Sequence, residues 1–127
     1  MRVYAKTDIG KARQMNQDFY YVSQVNENMT LCILADGMGG YNGGEIASSL
    51  ATNSSKEYIE ENFEKIGHSD EEIMNLIKCA MDYANRAVYK KAKANEELEQ
   101  MGTTLEICII YNNRAYIGHI GDSRIYR

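Results

Sequence analysis

Three short stretches of this chain put carboxylates where the backbone turns. In the first, "ILADGMGG", the apolar run Ile33-Leu34-Ala35 ends on Asp36, and Gly37, Gly39 and Gly40 crowd behind it. Glycines let the backbone take positive φ and approach another group closely. A carboxylate beside exposed backbone carbonyls is a hard-oxygen site suited to Mg²⁺ or Mn²⁺. The same residues also suit a strand-to-helix turn with Asp36 as a local cap, and on their own they leave both readings open. The second stretch is "RQMNQD", in which Arg13 precedes Asp18. The planar guanidinium can hold two oxygens of a phosphate, and Asp18 would add a second acid. An arginine near an acid is more commonly a weak surface pair. The third is "GHIGDSR", where Asp122 follows Gly121 after an apolar stretch. Three aspartates at strand ends, each next to a glycine or a basic residue, form a stronger pattern than any one of them.

The intervening residues read as strands, then two helices, then strands. Arg2–Thr7 alternates and is rich in β-formers, and Asp8-Ile9-Gly10 turns. Asp18–Val25 is a second strand and Asn26-Glu27-Asn28 a turn. Thr30–Ala35 has apolar residues on both faces, which predicts a strand covered on two sides. From Gly44 to Phe63 the period becomes helical, with Ile46, Ala47, Leu50, Ala51, Ser54, Tyr58 and Ile59 on one stripe. Ser69-Asp70-Glu71-Glu72 is a capping box. It opens a helix carrying Ile73, Leu76, Ile77, Ala80, Ala84, Ala87 and Val88, which should run to about Asn95. Met101-Gly102 breaks that pattern. Thr103–Tyr111 is a strand, Asn112-Asn113 a tight hairpin turn, and Arg114–Ile120 the returning strand. Gly121-Asp122-Ser123 turns again before a strand from Arg124 to Arg127. This order is a segregated α+β plan rather than βαβ alternation.

Bulk properties narrow the function. With 127 residues, 44% hydrophobic and 25% charged, the chain is expected to form one globular domain over residues 1–127. Its net charge of −4 argues against non-specific nucleic-acid binding. The acidity concentrates in residues 42–101, with twelve acidic and seven basic side chains, as expected of solvated helix faces. No apolar run is long enough for a bilayer and no secretory leader is visible, so the expected location is the cytoplasm, without a membrane partner. Cys32, Cys79 and Cys108 are odd in number and widely spaced, which predicts free thiols, Cys32 and Cys108 being buried. Cys108 and Arg114 have the bare Cys-x₅-Arg spacing. The residues between them, Ile-Ile-Tyr-Asn-Asn, lack the glycines that would cradle a phosphate. His119, alone in a strand, reads as a core or rim residue.

Taken together, "TDIGKARQMNQD", "ILADGMGGYNGGEIAS", "MGTTL" and "GHIGDSRIYR" resemble, in order and separation, the metal-dependent type 2C protein serine/threonine phosphatases, above all their bacterial branch. The resemblance implies a layered α-β-β-α sandwich, antiparallel sheets flanked by helices, with a metal centre at one end. It implies hydrolysis of phosphoserine and phosphothreonine on proteins by a water that two Mn²⁺ or Mg²⁺ ions activate, without a covalent phosphoenzyme. Asp36 matches the acid that bridges the two ions, and Gly37 matches the glycine that offers its backbone carbonyl. Arg13 matches the arginine that holds the substrate phosphate. Asp18 matches the second acid of a Glu-Asp pair, with Gln17 where many members have glutamate. Asp122 matches an aspartate that helps bind a third, weaker ion. Met38, Gly39, Gly40, Thr103 and Thr104 match structural positions. The partners so implied are phosphorylated protein substrates of a serine/threonine kinase.

The resemblance covers only the N-terminal half of the family's domain, so half of the usual architecture and two further metal-binding aspartates are expected to be missing. Such a chain is expected to bind metal weakly and to expose open sheet edges. It could therefore pair with a copy of itself as a homo-oligomer or strand-swapped dimer. The alternative function is a non-catalytic phosphatase-like fragment acting as an oligomeric interaction module.

Overall fold

The computed structural model describes residues 18–39, 43–98 and 101–120. Strands β1 (Asp18–Asn26) and β2 (Met29–Met38) lead into helices α1 (Gly43–Asn62) and α2 (Asp70–Ala94), and strands β3 (Gly102–Thr103), β4 (Leu105–Tyr111) and β5 (Arg114–Ile120) follow. The expected strands at residues 2–7 and 124–127, and the turns at residues 8–10 and 121–123, lie outside the described residues.

The described strands form one five-stranded sheet in the order β1-β2-β4-β5, with β3 pairing with β2 beyond the start of β4. Every pairing is antiparallel. Two local turns set the outer registers. Asn26 pairs with Met29, and the Asn28 N–H donates to Asn26 Oδ1 at 2.8 Å, so the asparagine side chain closes the first turn. At the second, Asn112 and Asn113 take φ of 50° and 65°, the left-handed pair that a two-residue hairpin requires.

Strand β2 is the central element. Its odd-numbered residues Met29, Leu31, Ile33 and Ala35 are buried, as are Leu105, Ile107 and Ile109 of β4. Both helices cover this face. α1 does so with small residues: Gly43, Gly44, Ala47, Ser48, Ala51 and Ser55 are buried along it. Ser48 Oγ donates to the Gly44 carbonyl at 2.8 Å, and Ser55 Oγ to the Ala51 carbonyl, so these two buried hydroxyls are satisfied inside the helix itself, whereas the buried Thr52 Oγ1 has no partner among the described residues. α2 begins as expected, with Ser69 Oγ accepting from the Glu72 N–H at 3.1 Å. Glu72 then turns back to accept from the Gly67 N–H at 3.2 Å. The α2 core stripe includes Met81 and Ala92 in addition to the expected residues, and Ala87 is only half-buried.

One expectation needs correction. β2 does not stop at Asp36: it runs to Met38, because Gly37 and Met38 pair with Thr103 and Gly102. The described residues cover one side of β2 and do not test its expected cover on the other. Its even-numbered face, with Tyr20 and Val22 of β1 and Ile117 of β5, is open: Tyr20 is 42% exposed, Leu34 42% and Ile117 56%. The apolar residues on that face are therefore surface in this structure.

The start of α2 is tied to β5. Asp70 accepts hydrogen bonds from Arg114 Nη1 and from the Tyr116 hydroxyl, each at 2.7 Å. The Tyr116 bond and then Arg114 hold the Asp70 carboxyl below its ordinary range. A carboxyl depressed on folding contributes stability that is complete above its unfolded value and disappears as the pH falls through the folded one. On acidification below about pH 4, the Tm of the native chain should therefore fall more steeply than that of Asp70→Asn. Parallel Tm–pH curves would remove this linkage. In the core, Ile33→Ala should cost about 2–5 kcal/mol in urea unfolding, since Ile33 is fully buried.

Candidate functional site

The acidic end of the sheet is built by three strands meeting in one register. Asp36 of β2 stands opposite Asp18, the first residue of β1. On its other side Asp36 meets Thr104, which sits between β3 and β4. The Thr104 N–H donates to the Asp36 carbonyl at 2.9 Å, and the Asp36 N–H donates to Thr104 Oγ1 at 3.0 Å. Both backbone groups of Asp36 are thereby held by one residue. Directly opposed residues of an antiparallel pair share a face. In the backbone register Asp18, Asp36 and Thr104 therefore form one row across the sheet, and the exposed Asp36 lies on its open face. The next row along is Tyr20, Leu34, Glu106 and His119.

Close packing fixes the backbone beyond Asp36. Gly37 is buried, and a Cβ there would collide with the Gly44 carbonyl at the start of α1. Gly39 has φ of 137°, which side-chain-bearing residues rarely adopt. The glycines thus have separate tasks: Gly37 admits the helix and Gly39 turns the chain. Among the expected site residues, the structure brings Asp18, Asp36 and Gly37 together. Arg13, Gln17 and Asp122 lie outside the described residues, as does Gly40.

The donors at this end are hard oxygens, which match Mn²⁺ or Mg²⁺ in kind. Among the described residues, no three His, Cys, Asp or Glu side chains lie close enough to hold an ion by themselves. The described part of the site is thus Asp36, with Asp18 opposite it in the backbone register. The described grooves lie elsewhere. One of about 480 Å³ runs between Tyr58 and Asn62 of α1 and Asn75 and Cys79 of α2.

Reading the sequence alone placed Thr104 among the structural positions without pairing it with Asp36, and it gave Glu106 no role. Glu106 and His119 approach to 3.8 Å on the open face, which puts His119 on the rim and not in the core. Counting back from the Asn112-Asn113 hairpin pairs Glu106 with His119. No local signal pairs β4 with β2, so Thr104 could not be placed beside Asp36.

The profile of the family described as protein phosphatase 2C matches residues 10–127. The chain belongs to this family. It is 36% identical over 126 residues to a putative protein phosphatase 2C-type of Streptococcus pyogenes, covering 98% of this chain and 49% of that protein. Among solved structures, the S. agalactiae serine/threonine phosphatase superposes with a TM-score of 0.79 at 33% identity, over 94% of this chain and 48% of that one. The catalytic domain of the serine/threonine protein phosphatase PstP, in complex with two manganese ions, gives 0.73 at 31% identity, over 93% of this chain and 46% of that one. The chain therefore spans about half the length of the relatives it matches.

The tight contact at Gly37 yields a test. Gly37→Ala should destabilise the chain by about 1–3 kcal/mol or more in urea unfolding, because backbone on both sides leaves no flexible side chain to yield. A neutral substitution would show that α1 does not approach β2 as described.

Proposed function

We propose that this chain forms the N-terminal part of a metal-dependent protein serine/threonine phosphatase, and that the row of Asp18 and Asp36 is its contribution to a centre for two Mn²⁺ or Mg²⁺ ions. The observation that carries the reading is the register of β1 on β2, which puts these two aspartates opposite each other at one end of the sheet, in a chain of the protein phosphatase 2C family.

In this reading Asp36, Asp18 and the backbone carbonyl of Gly37 would hold the two ions, and Asp122 would help hold a third, weaker one. The ions, when bound, supply a water of lowered pKa and positive charge facing the phosphoryl oxygens. Asp36 can hold its carboxylate at a fixed place because Thr104 clamps its backbone from one side, and a ligand that is already positioned loses little freedom on binding. Arg13 would bind the substrate phosphate through its planar guanidinium and so orient it. The substrates are phosphoserine and phosphothreonine on proteins, products of a serine/threonine kinase, and the reaction takes place in the cytoplasm.

A second reading is favoured by one observation, the exposed apolar residues Tyr20, Val22, Leu34 and Ile117 on the open face. A non-catalytic, oligomeric interaction module would use that face for a second copy of the chain. Calorimetric Mn²⁺ titration, p-nitrophenyl phosphate turnover and sedimentation of the same preparation separate the two. Micromolar Mn²⁺ affinity with turnover supports the phosphatase. A stable dimer that turns over nothing at any Mn²⁺ concentration supports the module.

Asp36→Asn should reduce Mn²⁺-dependent turnover by more than about 100-fold, since losing partners one shell further from a metal already costs about 10–100-fold. Unchanged turnover would mean that the site is misassigned.

A further inference from the structure

Two rows in from Asp18 and Asp36, the open face carries a pair of thiols. Cys32 of β2 stands directly opposite Cys108 of β4. Both are free and half-buried. Their row is completed by Val22 and Ile117, each an exposed apolar residue. The third cysteine, Cys79, is on α2, which packs on the other face of the sheet, where it lines the groove beside Tyr58. The sheet itself therefore separates Cys79 from the other two.

We propose that Cys32 and Cys108 are a redox-active dithiol, closed by two-electron oxidation into a disulfide that joins β2 to β4. Directly opposed residues of an antiparallel pair have Cα atoms about 4.5 or 5.5 Å apart. Both spacings fall within the range of about 4.4–6.8 Å that disulfides span. The Cβ atoms of such a pair are about 4.5–5.5 Å apart, against about 3.5–4.5 Å in a disulfide. Closure thus draws the two Cβ atoms together by no more than about 2 Å.

The oxidant is a small disulfide such as oxidised glutathione. One cysteine thiolate attacks a sulfur of the oxidant, forms a mixed disulfide and expels one glutathione thiolate. The facing cysteine, as its thiolate, attacks the protein sulfur of that mixed disulfide and expels the second. The protein gives up two electrons and two protons, and one oxidised glutathione becomes two reduced ones. Burial pushes both thiols up, and Cys32 and Glu106 push Cys108 up further. The first step should therefore accelerate as the pH rises and the thiolate fraction grows. The proposal does not depend on the phosphatase reading, since it requires only the pairing of β2 with β4.

The test is oxidation of the whole chain with oxidised glutathione, alkylation of the remaining thiols, and peptide mapping by mass spectrometry. The expected result is a chain lighter by two hydrogens, with Cys32 linked to Cys108 and Cys79 alkylated. Cys79→Ser should retain that link and Cys32→Ser should lose it. The same oxidation in guanidinium is the control. Loop closure in an unfolded chain favours partners near in sequence, so Cys79–Cys108 should then dominate over Cys32–Cys108. The wild-type map alone decides the matter if a variant fails to fold. A native chain that carries glutathione on both cysteines without closing, or that gives the same mixture as the unfolded chain, overturns the proposal.

Discussion

Strand β2 is hydrogen-bonded along both of its edges, to β1 on one side and to β4 and β3 on the other. This constrains the rest of the structure. A strand has a period of two, so fixing its register on both neighbours fixes which residues share each face. Once Ile33 faces the helices, Leu34, Cys32 and Asp36 must face away. The core, the acidic row and the thiol pair are three consequences of one register.

The helical layer answers to the same strand. α1 meets β2 with glycines, alanines and serines, and its first turn lies against Gly37. Small side chains let the helix approach closely and hold rigidly what it touches. Packing of this kind suits a segment that must present a carboxylate at a fixed place. The closest approach is at Gly37, one residue past Asp36, where the first turn of α1 leaves no room for a Cβ. Longer apolar side chains on α2 fill the volume further out, over β5.

The open face carries the proposed site and the thiol pair. From the acidic end inward it passes from Asp18, Asp36 and Thr104, through Glu106 and His119, to the two cysteines. Polar and reactive groups are concentrated on the side that the described helices leave uncovered. In the layered sandwich that the family resemblance implies, a second sheet stacks on this face. Its apolar residues, Tyr20, Val22, Leu34 and Ile117, have the composition such stacking requires.

Much of this was legible in the residues alone. The helix over residues 70–94 followed from its capping serine and from apolar spacing sustained over many turns, both of which are local. The hairpin at Asn112-Asn113 followed from the tolerance of asparagine for positive φ. Asp18, Asp36 and Gly37 were singled out from residue type and neighbours, and the family from four motifs in order. Tertiary structure decided what depends on partners distant in sequence. β2 runs past Asp36 because β3 pairs with it there. Thr104 clamps that aspartate from 68 residues away, and Cys32 faces Cys108 instead of lying in the core. Sequence records what each segment prefers, but strand pairing is chosen by which long-range contacts together bury the most apolar surface, and no local pattern encodes that choice.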